Sequence, residues 1–272
     1  GCYGMLGVSD ILCGRTSPSG ALPDIYATYN MSAPAMQNMG NFQYENGADM
    51  LTRGAGQTGG TTGNYLIEAE GIYVGYRYYE TRYYDSVFGN GNAGSPVGAY
   101  ASSTEWDYDK EVAYGFGYGL SYTDFTQEFE GEPEFNVSTD PETGVCDATA
   151  VFHVKVTNTG DMAGKSIVQI YGQAPYTEGG VEKSAVQLLN FGKTDTLKPG
   201  ESQVVSVEVD LQYIASYDNT YDNGDGTVGT YILDPGTYYF AMGNGAHDAL
   251  NHMMARQGAD PESLSGESNS AM

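Results

Sequence analysis

The chain has 272 residues, 40% of them hydrophobic and only 17% charged, with 24 Tyr and 38 Gly; this is a composition of strands and ordered loops, in a length that suits two ordinary domains. Acidic residues outnumber basic ones 35 to 11, a formal charge of -24, which repels phosphate backbones and anionic lipid and argues against nucleic acid and membrane surfaces as partners. Cys2, Cys13 and Cys146 lack C-x-x-C spacing, so neither a zinc site nor a disulfide framework is indicated and the cytoplasm is favoured over secretion; no apolar run reaches transmembrane length, and no charged-then-apolar leader opens the chain.

Residues 1–29 read as a short helix over Met5–Leu12, with Met5, Val8, Ile11 and Leu12 at helical spacing and Gly14 and Pro18 as stop signals. Residues 45–64 are Gly/Thr-rich and read as a loop. Seven tyrosines then fall between Tyr65 and Tyr84, and the aromatic and β-branched run Ile72–Tyr79 is predicted to be a buried strand passing into a helix or turn. After Phe125 the pattern alternates. Phe152, Val154 and Val156 share one face, with similar runs at 166–171, 186–191, 204–209, 230–233 and 237–242, separated by turn words such as Asn158-Thr-Gly-Asp161 and Asp234-Pro-Gly236; short strands at this spacing predict an antiparallel β-sandwich. Beyond Gly243 the pattern gives a short amphipathic helix and a polar Gly/Ser/Glu tail.

Particular words carry a resemblance. Ser9-Asp-Ile-Leu-Cys-Gly14 with Ser17-Pro-Ser-Gly20, Glu70-Gly-Ile-Tyr-Val-Gly-Tyr-Arg-Tyr-Tyr-Glu80 and Tyr114-Gly-Phe-Gly-Tyr-Gly-Leu-Ser-Tyr-Thr123 resemble the end of the α/β sandwich domain in glycoside hydrolase family 3, the β-glucosidase and β-xylosidase family. Val156-Thr-Asn-Thr-Gly-Asp-Met-Ala-Gly164, Leu197-Lys-Pro-Gly-Glu201 and Gly236-Thr-Tyr-Tyr-Phe240 resemble the fibronectin type III-like module of the same hydrolases. The resemblance implies a mixed fold: residues 1–128 as the closing part of an α/β sandwich domain, 129–245 as an immunoglobulin-like, fibronectin type III-like β-sandwich, and 246–272 as a helix and polar linker or tail. The tail resembles that of members with swapped domain order, which implies a catalytic barrel beyond Met272. By the same resemblance the chain is a fragment whose parent hydrolyses terminal β-linked glucose or a similar sugar with retention. Its partners would be a β-linked glycoside, the missing barrel and the rest of the sandwich domain, with a homodimer as a further candidate; no metal or organic cofactor is implied.

A retaining glycosidase needs a nucleophilic carboxylate and a carboxylic acid about 5 to 5.5 Å apart. Neither family motif has a match here, so no catalytic residue is assigned and the fragment alone is expected to be inactive. Glu68, Glu70 and Glu80 are the carboxylates that invite comparison, a strand placing Glu68 and Glu70 on one face, yet cap or loop hydrogen bonding is the commoner use of such groups. The tyrosines from Tyr73 to Tyr84 either line a sugar site or pack between sheets, packing being favoured. Trp106 lies in a loop-like stretch, and the loop Trp106–Tyr122 is a candidate to approach the aglycone side.

Three further patterns are weighed and set aside. Gly89-Asn-Gly-Asn-Ala-Gly94 precedes Ser95-Pro96 instead of opening a helix. Asp222-Asn-Gly-Asp-Gly-Thr227 lacks calcium-loop register and reads as a hairpin turn. His247 and His252, with Asp248 between them, are spaced by five residues and read as surface polar groups instead of metal ligands. The sequons at Asn30 and Asn136 matter only in a eukaryotic secretory pathway. Two other classes compete with the hydrolase fragment: an independent carbohydrate-binding or adhesion module, which a solvent-facing row of aromatic rings would favour, and a scaffold without ligand.

Overall fold

A computed structural model describes residues 4–37, 40, 42–45, 65, 67, 70–89, 106–139, 141–142 and 146–265. The first part of the chain holds α1 (Gly4–Leu12), β1 (Tyr26–Ala27), α2 (Pro34–Gln37), α3 (Tyr76–Phe88), α4 (Tyr108–Glu111) and β2 (Val112–Tyr114). The strands β3 (Phe125–Phe129), β4 (Glu134–Thr139), β5 (Cys146–Asn158), β6 (Ile167–Gln173), β7 (Gln187–Lys193), β8 (Ser202–Asp210), β9 (Ser216–Asp222), β10 (Val228–Ile232) and β11 (Tyr239–Met242) follow. Helix α5 (Ala246–Arg256) comes after them.

The long strand β5 organises the first sheet. One of its edges pairs with β8 from Thr157↔Ser202 to Thr149↔Asp210, and the other pairs with β3 and then β4, both antiparallel. Those two strands act as one edge interrupted at Gly131-Glu132-Pro133, where Gly131 takes φ +82 and the proline has no N–H for the ladder. The second sheet has the order β11-β6-β7. Between the sheets lie Phe152, Val154 and Val156 of β5, Val205, Val207 and Val209 of β8, and Val168, Ile170, Leu189 and Met242 from the second sheet. This is the alternation read from the sequence, realised as an antiparallel sandwich.

Strand β6 departs from alternation because both of its faces are covered. Val168 and Ile170 point into the sandwich, while Gln169, Tyr171 and Gln173 are also buried, beneath helices. The covering layer is made of α3 and α5: Tyr73, Tyr78, Tyr79 and Tyr83 join Ala246, Ala249, Leu250, Met253 and Met254 in one core with Tyr171, Val186 and Ala241. The polar atoms of β6 find partners inside this layer. Tyr171 donates to Gln169 Oε1 at 2.7 Å, and Gln173 donates to the Ala185 carbonyl at 2.6 Å.

The glycine-alternating word after β2 ties the first part of the chain to the last. Gly117 donates to the Leu22 carbonyl at 2.9 Å, Leu22 to the Tyr118 carbonyl at 2.8 Å, and Ala246 to the Phe116 carbonyl at 3.0 Å. A side chain at Gly119 would collide with the Gly20 carbonyl oxygen, and one at Gly117, where φ is +88, would meet the Gly245 backbone. The close approach of three backbones explains why glycine recurs there.

One expectation needs correction. The run Ile72–Tyr79 does pass into a helix, but no buried strand precedes it: Gly75 takes φ +59, Ile72 and Val74 face solvent, and Tyr76 opens a helix that closes at Gly89 with φ +70. The aromatic content of this segment suggests a strand, but Tyr76, Tyr79, Glu80, Tyr83 and Val87 recur at helical spacing and form the inward face. The amphipathic helix read beyond Gly243 is present as α5, and six of its residues are buried.

Candidate functional site

The buried helical layer encloses a polar cluster. Glu80 projects from α3 into this layer and is fully enclosed. Its carboxylate accepts from the Tyr108 hydroxyl at 2.5 Å and from His247 Nδ1 at 2.8 Å. The imidazole lies flat on the Tyr108 ring, centroids 3.8 Å apart and planes 15° from parallel, with the Tyr83 ring 4.6 Å away. Its Nε2 faces Ser265 Oγ at 3.0 Å and the Ser265 carbonyl at 3.2 Å. Tyr83 donates to Asn251 Oδ1 at 2.9 Å and accepts from the Ser265 N–H at 2.8 Å; Asn251 then donates to the Ser265 carbonyl at 2.9 Å. Four pieces of chain, α3, α4, α5 and the segment at Ser265, are thereby joined through side chains.

The electrostatics follow from this geometry. Burial alone would push the His247 imidazole down, but the adjacent Glu80 carboxylate and the Ser265 carbonyl outweigh it and hold the imidazole above its ordinary value. With both ring nitrogens facing acceptors, the imidazolium is the form the site fits. Tyr108 is pushed well above its usual range, first by burial and then by the Glu80 charge, so it stays a neutral donor. The cluster is a buried ion pair whose hydrogen-bonding capacity is met by neighbours.

The sequence candidates scatter relative to this cluster. Glu80 is within it; Glu70 sits in the turn before α3, with one carboxylate oxygen buried and without a hydrogen-bond partner among the described residues; Glu68 lies outside the described residues. The tyrosines pack: Tyr79 bonds Ser32 Oγ at 2.5 Å, Tyr76 accepts from the Leu188 N–H at 3.0 Å, and Tyr73 donates to Glu182. Trp106 is half-buried, with the Arg82 guanidinium 5.2 Å from its ring centroid. The Trp106–Tyr122 stretch, expected as a loop, contains α4 and β2, and its Tyr114, Tyr118 and Tyr122 are exposed.

Sequence reasoning misplaced His247 and His252: both are expected at the surface, yet their side chains are only 17% and 16% exposed. The available signal was the apolar series Ala246, Ala249, Leu250, Met253, Met254 at helical spacing, which defines a buried face and brings the neighbouring His247 and Asn251 to its border. Glu80 and His247 are 167 positions apart, so no local pattern could pair them. Asp248 accepts from the Asn244 N–H at 2.9 Å, near the start of α5. The Asp222–Thr227 word does form the turn of the β9–β10 hairpin. Gly89 closes α3, and the rest of the Gly89–Gly94 word lies outside the described residues. Among the described residues there is no group of three or more metal-ligating side chains, and no helix is long and apolar enough to cross a membrane.

Comparison with known proteins agrees with the fold. A family model for the Fibronectin type III-like domain matches residues 166–246, from the residue before β6 to the first residue of α5. The chain is 33% identical over 253 residues to Beta-glucosidase A of Butyrivibrio fibrisolvens, a match covering 91% of this chain and 25% of that protein. It is 31% identical over 249 residues to a Beta-glucosidase of Ruminococcus albus, covering 92% and 20% respectively. The crystal structure of a beta-glucosidase from Paenibacillus barengoltzii superposes with a TM-score of 0.60 at 31% identity, over 88% of this chain and 20% of that one. The resemblance to family 3 glycoside hydrolases is thus borne out over nearly the whole chain. The chain spans a quarter or less of the length of these relatives.

Proposed function

We propose that this chain is the accessory part of a retaining β-glucosidase-like enzyme, which hydrolyses terminal β-linked glucose or a similar sugar, and that the catalytic carboxylate pair lies outside residues 1–272. The observation that carries this reading is the continuous similarity to β-glucosidases across 91% of the chain but only 25% of the relative. Two features of the fold support it. Helix α1 has no buried residue and presents Met5, Leu6 and Leu12 to solvent, as expected of an element whose packing partner is supplied from elsewhere. Glu80, the most enclosed carboxylate considered, is engaged by a phenol and an imidazole, whereas the mechanism needs two carboxyl groups flanking an accessible bond. On this reading residues 1–128 complete an α/β sandwich domain, 129–245 brace it, and 246–272 lead onward, with the loop Trp106–Tyr122 approaching the aglycone side.

The experiment is to read the gene on both sides of the segment encoding Gly1–Met272. The proposal expects a (β/α)8 barrel in the same frame, encoded beyond Met272. A frame that holds no barrel on either side overturns it.

A further inference from the structure

A groove of about 1060 Å³ lies between the Gly179–Ser184 loop, the turn Leu211–Ile214 and the β9–β10 hairpin. Its volume is at the upper end of the range for sites that enclose small ligands, about 300 to 1,000 Å³, and so admits several sugar units. Three tyrosines line it while remaining exposed: Tyr213 at 57%, Tyr217 at 52% and Tyr231 at 71%. Tyr217 and Tyr231 meet edge to face with centroids 5.2 Å apart, and the exposed Ile72 also lines the groove. In a chain that buries most of the tyrosines of its helical layer, three lining one concavity from the sandwich side form a distinct surface.

Polar groups in the groove are unevenly engaged. Glu182 accepts from Tyr73 and Lys183 is paired with Asp234. The side chains of Arg77 and Asn219, by contrast, make no hydrogen bond or ion pair among the described residues, and both line the groove. The combination of flat apolar rings with a free guanidinium and a free amide matches a ligand that is apolar on its faces and hydroxylated at its edges. A net charge of -24 disfavours an anionic sugar.

We propose that this groove binds a neutral, β-linked gluco-oligosaccharide. An extended β-linked chain offers successive ring faces to Tyr213, Tyr217 and Tyr231, with equatorial hydroxyls directed to Arg77 and Asn219. The choice of β-linked glucose rests on the proposed function; the choice of a neutral glycan rests on the groove.

Calorimetric titration of the 272-residue chain with cellotetraose tests it, with maltotetraose as the α-linked comparison. The expected result is saturable binding of cellotetraose with Kd of about 1 mM or tighter. Tyr217→Ala and Tyr231→Ala should each weaken it about five- to ten-fold, on the scale of losing one stacked ring. Tyr221→Ala, on the same strand but outside the groove lining, should leave it unchanged, and circular dichroism should show all three variants folded. Absence of binding at about 10 mM cellotetraose, binding of maltotetraose in its place, or equal binding by the folded Tyr217→Ala and Tyr231→Ala variants overturns the proposal. None of these outcomes depends on hydrolysis by the parent, whose test is the gene sequence.

Discussion

His247 and Glu80 hold the most consequential contact in the chain, and it sits where local sequence gives no hint of it. A carboxylate in a tyrosine-rich helix and a histidine after the last strand each have unremarkable neighbours in sequence; only the packing of α3 on α5 places them 2.8 Å apart. Glu80→Ala would leave the imidazolium and the Tyr108 hydroxyl without their acceptor, and should cost about 3 to 5 kcal/mol in urea unfolding. The pH dependence has a definite sign. Because the His247 value is raised in the folded state, its contribution is fully present below the unfolded value of about 6.5 and is lost as pH rises through the folded value. Urea midpoints measured from pH 5 to 9 should therefore fall across that upper window in the unaltered chain. In Glu80→Gln the step should flatten; an unchanged step would assign the titration to another group.

Helix α5 decides how the first part of the chain is held. The sandwich strands were legible because a half-buried strand writes its environment at period two, as Phe152, Val154 and Val156 do. Strand β6 was located correctly, yet its second buried face could not be read, because Gln169 and Gln173 look like solvent-facing residues until α3 and α5 cover them. The α3 segment was misread for the opposite reason: aromatic content suggested a strand, and the helical spacing of Tyr76, Glu80, Tyr83 and Val87 carried the true signal. Leu250 is fully buried in the layer that results. Leu250→Ala should then destabilise the chain by about 2 to 5 kcal/mol, the range for deleting a buried leucine side chain, measured by chemical denaturation. A cost near zero would mean that α5 does not pack in this layer.

At the scale of the whole molecule, two cores share the second sheet, one between the sheets and one beneath the helices. The helical layer from Tyr73 to Tyr83 should therefore resist protease together with the sandwich, whereas α1, which has no buried residue, should be cut first. Limited proteolysis followed by mass spectrometry should yield an early cut before Gly14 and a stable product retaining α3. A first product beginning near Phe129 would mean that the layer detaches easily. The central claim concerns chemistry. The fold was legible from strand alternation and from short words shared with glycoside hydrolases, but a catalytic pair was not, and the account places that pair outside these residues. The direct measurement is hydrolysis of p-nitrophenyl β-glucoside by the rigorously purified 272-residue chain, alongside Glu70→Gln and Glu80→Gln variants confirmed as folded. The account predicts no turnover above the buffer rate in any of the three, and turnover by the unaltered chain that either substitution abolishes would contradict it.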